Sequence, residues 1–371
     1  MRTRSRKRVL VVGPSIGKGG IASVIQLHSR TGLWREMNCY LLPTFHDRNL
    51  LMKLLVIFRA YIFAPFLIVR STLVHIHLAG QTSMIRKLPI VLLCKIMRRP
   101  LIVHLHASGE VSLFEMTPQW MVRLTFLLAN RVVVLSRTWS EIVLTHVPEA
   151  RVVILHNPVT IPLDLQKRGA NYPPVVIYVG KLEARKGYAD LIDAVAEVLP
   201  GFPKLQLWLL GNGEVPEAQQ RAKSLGIERS VLIPGWIDAS ELDAYYRKAS
   251  IFCLPSFEEG VPMALLEAMS YALPVVCTPV GGVPDIISDG ENGLFAQAGD
   301  PASIRDQLLL LLGLPNLADR LGANAARTVE EQCGLDRIEI QLRDLYETVE
   351  SEWLIRRRGI RETSQATEEE F

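Results

Sequence analysis

Short uncharged runs rich in β-branched and aliphatic residues alternate with longer helical patterns along this chain. In the first half these runs are 9–12, 73–78, 101–106, 132–135 and 152–155, and in the second half they are 175–179, 205–210, 231–233, 251–254 and 274–277. Such runs are typical of strands buried on both faces of a parallel sheet, with the intervening helices as crossovers. The pattern predicts an α/β protein built of two doubly wound, Rossmann-like domains.

The length also favours two domains, because 371 residues exceed what one hydrophobic core usually supports. A polar, proline-rich stretch over residues 157–174 is typical of a linker. We therefore expect an N-terminal domain over residues 1–165 and a C-terminal domain over residues 166–334. Residues 335–358 have a helical pattern, and the glutamate-rich residues 359–371 are predicted to be disordered.

Cysteine usage and charge limit the possible settings. The five cysteines have no paired or C-x-x-C spacing, which predicts a reducing compartment and no zinc site of the cysteine type. Residues 1–160 hold 21 Lys and Arg against 6 Asp and Glu, whereas residues 161–371 hold 20 against 32. This asymmetry points to an anionic partner of the N-terminal half: nucleic acid, an acidic membrane surface or a phosphorylated lipid.

The most apolar segment is residues 49–70. Its longest uncharged run, residues 60–69, is far shorter than the ~20 residues that span a bilayer, so a spanning helix is not expected. We favour a helix buried under the first sheet over a helix that lies on a membrane. The basic arm of residues 2–8 runs directly into the first strand without an apolar region, so no secretory signal is predicted.

Two carboxylates, Glu259 and Glu267, stand eight residues apart across a predicted loop-to-helix boundary. Pro262 suits the first turn of a helix, residues 264–269 have a helical pattern, and Glu259 is expected at the helix entrance. The unpaired amides at such a helix start could hold a phosphate between the two carboxylates. This arrangement suits a sugar, its diphosphate and a ribose. In the alternative, the helix dipole alone favours Glu259, and Glu267 faces solvent.

Residues 255–285 closely resemble the E-x7-E region of retaining family-4 glycosyltransferases, also described as glycosyl transferases group 1. This resemblance implies the GT-B fold, in which two Rossmann-like domains face each other across a cleft. It also implies that the C-terminal helix crosses back to the N-terminal domain. The sugar would come from a nucleotide diphosphate donor, with no metal and no cofactor.

The resemblance extends to other turns that follow predicted strands. Gly19 and Gly20 match a glycine pair at the diphosphate, although their loop fits neither the P-loop nor the dinucleotide motif, and a tight turn without phosphate is the alternative. Lys181 and Lys186 take the places of the family's Arg and Lys that neutralise the diphosphate. The implied donor-binding residues are Gly19, Gly20, Lys181, Lys186, Gly211, Trp236, Ile237, Glu259, Gly260, Met263, Ala264, Leu265 and Glu267. For Trp236 and Ile237, core packing remains the alternative.

Four histidines form two His-x-His pairs on predicted strands: His75 with His77, and His104 with His106. Residues two apart on a strand share a face, so four imidazoles could bind a metal in a hydrolase. No carboxylate accompanies either pair in metal-ligand spacing. The resemblance instead matches His106 to the histidine that contacts the transferred sugar, and the other three are interpreted as cleft or core residues.

We therefore expect a retaining, metal-independent hexosyltransferase with Glu259, His106 and Lys186 as its catalytic residues. Its acceptor is expected to be a lipid-linked or anionic glycan, in the biosynthesis of a surface polysaccharide or glycolipid. The expected location is cytoplasmic, peripheral on the inner face of the membrane, and no nucleic acid is expected as a partner. The alternatives are a metal-dependent hydrolase that uses the histidine pairs, and an inactive GT-B-like protein that binds membrane or nucleic acid.

Overall fold

The computed structural model of the protein describes residues 7–15, 19–46, 50–109, 111–165 and 173–368, with the backbone alone for residues 111–112 and 358–368. The chain divides into two compact units. Unit 1 comprises Met1–Pro158 and Leu335–Phe371, and unit 2 comprises Val159–Gly334. Unit 1 therefore ends before the linker boundary expected near residue 165, and the chain returns to it after unit 2.

Unit 1 contains a six-stranded parallel sheet in the order β2-β1-β3-β4-β5-β6. Its strands are β1 (Val9–Pro14), β2 (Tyr40–Phe45), β3 (Leu73–Leu78), β4 (Leu101–Leu105), β5 (Arg131–Val134) and β6 (Val152–Ile154). All but β2 coincide, within one or two residues at the ends, with the runs expected from sequence. The sequence pattern missed β2 because Pro43 interrupts it, and proline is tolerated at a sheet edge, where β2 lies.

Helices cover both faces of this sheet. They are α1 (Gly20–Ser29), α2 (Gly32–Glu36), α3 (Leu50–Arg70), α4 (Gln81–Ile96), α5 (Gln119–Leu128), α6 (Arg137–His146) and the C-terminal α13 (Leu335–Glu368). One core contains residues of α3 to α6, and the other contains residues of α1, α2 and α13. The backbone of α13 continues to Glu368, into the segment expected to be disordered from residue 359, and the last three residues lie outside the described part.

Unit 2 repeats the design with the parallel order β12-β11-β10-β7-β8-β9. Its strands are β7 (Val175–Val179), β8 (Gln206–Leu210), β9 (Val231–Gly235), β10 (Ile251–Leu254), β11 (Val275–Cys277) and β12 (Leu294–Phe295). Its helices are α7 (Tyr188–Val198), α8 (Val215–Ser224), α9 (Ala239–Lys248), α10 (Met263–Ser270), α11 (Pro301–Gly313) and α12 (Pro315–Cys333). The pattern missed β12 because two residues carry no periodicity. The two parallel sheets confirm the doubly wound fold class.

The strand orders place a topological switch point in each sheet. In unit 2 the chain leaves β7 in one direction, towards β8, and later returns on its other side with β10. Ligands of open α/β sheets bind at such a point, outside the carboxyl ends of the strands. The loops that follow β7 and β10 carry Lys181, Lys186 and Glu259. In unit 1 the corresponding point lies between β1 and β3.

Helix α3 differs from the sequence expectation. It was expected to lie buried under the first sheet, yet only Ala60, Ala64 and Ile68 are buried. These three residues recur every four positions and form one narrow stripe against unit 1. The remainder of the helix is partly or largely exposed, so the expectation of a buried helix was wrong for most of its surface.

Candidate active site

The loops that follow β7 and β10 are packed directly on each other in unit 2. Gly187 has φ +68°, and a Cβ atom at this position would lie 2.0 Å from the carbonyl oxygen of Pro255. The amide of Phe257 donates a hydrogen bond of 2.8 Å to the carbonyl of Arg185. Only glycine allows both this backbone conformation and this approach. The two loops at the switch point are therefore held in one fixed arrangement.

A second glycine fixes the backbone of Glu259 itself. A Cβ atom on Gly281, which has φ +56°, would lie 1.7 Å from the carbonyl oxygen of Glu259. The amide of Gly282 donates to the carbonyl of Gly260 at 2.7 Å, and the hydroxyl of Thr278 donates to the carbonyl of Ser256. The loop after β11 thus packs closely on the loop that carries Glu259.

Lys186 and Glu259 form an ion pair within this scaffold. Lys186 Nζ lies 2.5 Å from Glu259 Oε1, and the same oxygen accepts a hydrogen bond of 2.8 Å from Ser256 Oγ. The side chain of Glu259 is 4% exposed and that of Lys186 is 15% exposed. Because an unpaired buried carboxylate would be strongly unfavourable, this pairing explains how Glu259 is tolerated there. The structure brings together these two predicted site residues and adds Ser256, which the sequence pattern did not identify.

Two further cations stand beside this pair on the same turn. Lys181 and Arg185 both contact the carboxylate of Glu183, and Arg185 Nε lies 3.0 Å from it. Both cations are largely exposed, and exposed ion pairs are weak, so either cation can exchange Glu183 for another anion. Glu183 was also missed from the sequence, because an acidic residue two positions from a lysine is a common surface feature.

Glu267 lies on α10, which begins at Met263 after Pro262. Glu259 therefore lies four residues before the first residue of the helix, in the loop that leads into it. Tyr246 donates a hydrogen bond of 3.0 Å to Glu267 Oε2. Burial raises the pKa of Glu267 to about 7, and the hydrogen bond from Tyr246 opposes this rise. Glu267 is thus a held carboxyl group, contrary to the alternative that it only faces solvent.

The residues between the two glutamates form the start of α10. Gly260 is buried, Met263 and Ala264 are half-buried, and Leu265 lies in the core. Within the described part of the chain, no side chain caps the N-terminus of this helix. The amides of Leu265 and Leu266 donate to the carbonyl of Pro262, so within the described part of the chain the amides of Met263 and Ala264 remain available to an anion.

The other predicted donor residues of unit 2 lie in turns after β8 and β9. Gly211 packs on the turn after β7, since a Cβ atom there would lie 1.8 Å from the carbonyl oxygen of Gly180. Trp236 is 39% exposed, and its indole nitrogen donates to Asp238 at 3.0 Å. Ile237 is half-buried. Trp236 is therefore not a core residue, and its exposed ring could stack on a base.

In unit 1, the four histidines of the His-x-His pairs stack at the carboxyl ends of β3 and β4. Ring centroids are 4.5 Å apart for His75 and His77 and 4.1 Å apart for His104 and His106. His77 Nδ1 lies 2.9 Å from His106 Nε2, and His75 Nδ1 lies 2.7 Å from the hydroxyl of Tyr346. Burial lowers the pKa of His75 and of His106 to about 3, so these rings are neutral at pH 7.

The same stack was the basis of the metal-site alternative. One ligand atom each from His75, His77 and His104 can be chosen within 4.8 Å of one another. However, the planes of His75 and His104 are only 8° apart, and those of His77 and His104 are 30° apart. A ring nitrogen coordinates through a lone pair in its ring plane, so stacked rings do not direct their lone pairs at one point. The geometry is that of packed neutral rings.

A buried lysine, Lys87, supports the end of β3. Its Nζ donates to the carbonyl of His77 at 2.5 Å and to Ser83 Oγ at 2.9 Å. Burial lowers the pKa of Lys87 to about 7, with a smaller effect from Arg86. The sequence gave no signal for Lys87, because a lysine on a helix is usually exposed to solvent.

The loop that carries Gly19 and Gly20 follows β1, one of the two strands at the switch point of unit 1. Gly19 has φ +112° and an open surrounding, and Gly20 begins α1. Among the described residues, no side chain caps this helix either. Residues 16–18 of this loop lie outside the described part. The positive φ explains why a glycine stands at position 19.

Comparison with known proteins identifies relatives that align with less than half of this chain. Residues 163–328 match the family model described as glycosyl transferases group 1. The chain is 35% identical over 158 residues to a D-inositol 3-phosphate glycosyltransferase of Corynebacterium efficiens, which covers 41% of this chain and 37% of that relative. It is 32% identical over 185 residues to a phosphatidyl-myo-inositol mannosyltransferase of Mycobacterium leprae, with 48% and 49% covered. The chain thus aligns with about half or less of the length of these relatives.

Solved structures resemble nearly the whole chain at low identity. HepE of Anabaena in complex with UDP-glucose has a TM-score of 0.72 and 20% identity, covering 92% of this chain and 99% of that one. The apo form of WaaB, a lipopolysaccharide outer core galactosyltransferase, has a TM-score of 0.66 and 20% identity, with the same coverage. These likenesses support a shared fold across both units.

Proposed function

Because residues 163–328 match the family model described as glycosyl transferases group 1 and the chain has the GT-B fold, we propose that this protein is a retaining glycosyltransferase. Its donor would be a nucleotide diphosphate sugar bound at the switch point of unit 2. The observation that carries the proposal is the buried pair of Lys186 and Glu259, held by Ser256 beside the uncapped start of α10. This arrangement offers a cation, helix amides and a carboxylate to one ligand.

Each group has a separate role in donor binding. The amides of the first turn of α10, together with Lys186, Lys181 and Arg185, neutralise the diphosphate. Glu259 accepts hydrogen bonds from the hydroxyls of the transferred sugar. Glu267, once ionised, accepts them from the ribose, and Trp236 offers its exposed ring to the base. UDP is the first nucleotide to test, since HepE binds UDP-glucose.

The proposed rate enhancement is electrostatic. Negative charge develops on the diphosphate as the bond to the sugar breaks, and fixed cations and helix amides stabilise that charge without rearrangement. Ser256 and the packed glycines keep the Glu259 carboxylate in place while Lys186 is shared with the phosphate. His106 of unit 1 is proposed to contact the transferred sugar as a neutral imidazole. No metal is proposed for this step.

For the acceptor, we propose a lipid-linked or anionic glycan, in the assembly of a surface polysaccharide or glycolipid. The excess of Lys and Arg over residues 1–160 supports an anionic acceptor in unit 1. One relative is a phosphatidyl-myo-inositol mannosyltransferase, and a lipid acceptor of that kind agrees with this proposal. The proposed location is the cytoplasmic face of a membrane.

Nucleotide binding is the first test. Thermal unfolding is followed with UDP, GDP, ADP and their sugars, each with and without EDTA. We expect the nucleotides of one base to raise the melting temperature of the protein. EDTA should leave this increase unchanged, and Glu267→Ala should abolish it. Stabilisation only in the presence of a divalent metal, or by none of the nucleotides, would contradict the proposal and favour the histidine hydrolase.

Transfer is the second test, with a matched pair of variants. Glu259→Gln keeps the shape and removes the charge, and we expect kcat to fall by a factor on the order of 100 or more. Glu258→Gln changes an exposed neighbour in the same loop and should leave kcat near that of the wild type. A wild-type protein that binds the nucleotide but neither transfers nor hydrolyses the sugar would instead be an inactive binding protein.

A further inference from the structure

The outer surface of α3 carries an apolar stripe. Seven large apolar side chains recur at helical spacing along it and are all exposed: Leu51, Leu54, Leu55, Phe58, Ile62, Phe66 and Val69. The exposed fraction is 63% for Phe58 and 65% for Phe66. At ~1.5 Å per residue, the stripe is about 27 Å long. A soluble monomer rarely exposes a contiguous apolar surface of more than a few hundred Å².

The burial of this helix is reversed relative to that of a soluble amphipathic helix. Ala60, Ala64 and Ile68 face the core of unit 1, while the phenylalanines and leucines of the stripe face away from it. A helix that only packed on the sheet would be expected to bury its large side chains. The outward stripe therefore needs another apolar environment.

The neighbouring helices extend this surface. Helix α4 packs beside α3, and it exposes Ile85, Leu92 and Ile96 on one stripe of its own. Helix α5 packs beside α4 and exposes Trp120 to 60% near its start. Tryptophan is enriched where an apolar medium meets water. The exposed apolar residues of α3, α4 and α5 are called the apolar face below.

The charged residues on α3, on α4 and in the segment between them are all of one sign. Residues 48–109 contain nine Lys and Arg and no Asp or Glu. Arg59 and Arg70 are exposed, and at 100° per residue both fall on the same flank of the α3 stripe. Lys95 and Arg98 are exposed at the end of α4. An apolar surface with a basic border is complementary to a bilayer that contains anionic lipids.

The fold determines how α3 can meet a bilayer. The helix is long and apolar enough to span a membrane, yet only 17% of its most apolar 18-residue stretch is buried. However, α3 connects β2 to β3, and these strands lie on either side of β1 in one sheet. A spanning orientation would remove Ala60, Ala64 and Ile68 from the core. The helix is therefore suited to lie along a membrane surface.

We propose that the apolar face docks unit 1 on the surface of an anionic lipid bilayer, with α3 parallel to the membrane plane. The large side chains enter the boundary between headgroups and acyl chains, and Arg59, Arg70 and Lys95 contact lipid phosphates. A second copy of this chain is a poorer occupant, because it would bring its own basic border against this one. The proposal stands on the apolar face and does not depend on the donor site.

Vesicle sedimentation tests the proposal with the full chain. We expect the wild type to sediment with vesicles of phosphatidylcholine and phosphatidylglycerol, and to bind pure phosphatidylcholine more weakly by a factor on the order of 100. A variant with Leu54→Gln, Phe58→Gln, Ile62→Gln and Phe66→Gln should lose binding to both by a similar factor or more. Arg59→Gln, Arg70→Gln and Lys95→Gln together should reduce only the preference for anionic vesicles.

A matched control changes exposed apolar residues on the opposite side of unit 1. Ile340→Gln, Leu354→Gln and Ile355→Gln lie on α13, which covers the other face of the sheet, and this variant should bind vesicles as the wild type does. Circular dichroism confirms that each variant is folded. Equal binding by the α3 and α13 variants, or no binding by the wild type, would overturn the proposal. So would a wild-type dimer that ignores vesicles and becomes monomeric in the α3 variant.

Discussion

At the scale of single residues, charged groups in unit 2 are held by one or two short contacts. Glu259 has Lys186 and Ser256, and Glu267 has Tyr246. Their environments differ, since Glu259 has a cation beside it whereas Glu267 has a hydroxyl. A cation stabilises the ionised carboxylate more than a neutral donor does. The two glutamates are therefore suited to different parts of a ligand.

The raised pKa of Glu267 predicts a pH-dependent stability. Its pKa is about 7 in the folded protein and has the ordinary value of 4.5 in the unfolded chain. Between pH 4.5 and pH 7 the folded protein therefore holds a proton on Glu267 that the unfolded chain has lost. The free energy of unfolding should thus fall as pH rises from 5 to 8, by on the order of 1–2 kcal/mol from this group after allowing for partial exposure. Urea unfolding of wild type and Glu267→Gln at both pH values measures the difference. An equal pH dependence in the two proteins would contradict the assignment.

The same group predicts how nucleotide affinity varies with pH. Only the ionised Glu267 accepts both hydroxyls of a ribose, and ionisation becomes complete above the pKa of about 7. We expect the Kd for the nucleoside diphosphate to decrease between pH 6 and pH 8 by a factor of roughly 10. Calorimetric titration of the wild type and Glu267→Gln checks this, and the variant should show a flat profile over the same range.

At the scale of elements, the loops at the edge of the second sheet owe their positions to glycines. Gly187, Gly211 and Gly281 each bring a backbone within a distance that no Cβ atom tolerates. Two of the three, Gly187 and Gly281, also have positive φ. Backbone contacts between the loops thus set the positions from which the side chains of this site project.

Gly281→Ala is expected to displace the loop of Glu259. The added Cβ would lie 1.7 Å from the Glu259 carbonyl oxygen, so the loop must move as well as adopt a strained φ. We expect a loss of about 2–4 kcal/mol in the free energy of unfolding and a weakened nucleotide affinity. Gly290→Ala is the control, because Gly290 also has a positive φ, +73°, but no atom within 4 Å of the added Cβ. It should lose about 1 kcal/mol and retain affinity. Similar losses in both variants would show that strain alone matters.

At the scale of the whole molecule, we expect the two units to respond differently to acid. Unit 1 buries a group of neutral histidines, and burial lowers the pKa of His28 to about 4 and that of His75 to about 3. In the unfolded chain these histidines have the ordinary pKa of 6.5 and bind protons below that pH, so acidification favours unfolding. Each of these two groups removes roughly 2 kcal/mol at pH 5. Unit 1 should therefore lose stability between pH 6.5 and pH 4.

Hydrogen exchange separates the two units in the intact chain. On going from pH 7 to pH 5, and after correction for the intrinsic rate, we expect protection to fall in β3 and β4 before it falls in β7 and β10. His28→Leu removes one titrating group and a ring whose nitrogens have no partner among the described residues, so it should reduce this loss. A uniform decrease in both units, or no effect of His28→Leu, would contradict the role of the histidines.

Much of the fold and of the candidate site was determined by the sequence alone. Ten of the strands follow from apolar runs that only a doubly covered parallel sheet can bury. Lys186, Glu259 and Glu267 were identified from short motifs that come after predicted strands. Such motifs can be recognised because their residues are neighbours in sequence. Local patterns also explain the two strands that were missed, since a proline interrupts one and the other has only two residues.

Only the tertiary structure decided which groups meet. Ser256, Glu183, Tyr246 and Lys87 have no local signature, since their partners come from packing between loops or helices that a periodic pattern does not encode. The same holds for α3, for which the sequence favoured a buried helix over a surface helix. Its environment depends on which side of the helix packs against the sheet, and that side carries Ala60, Ala64 and Ile68. The large apolar side chains were left outside because a helix can present only one stripe to a flat sheet.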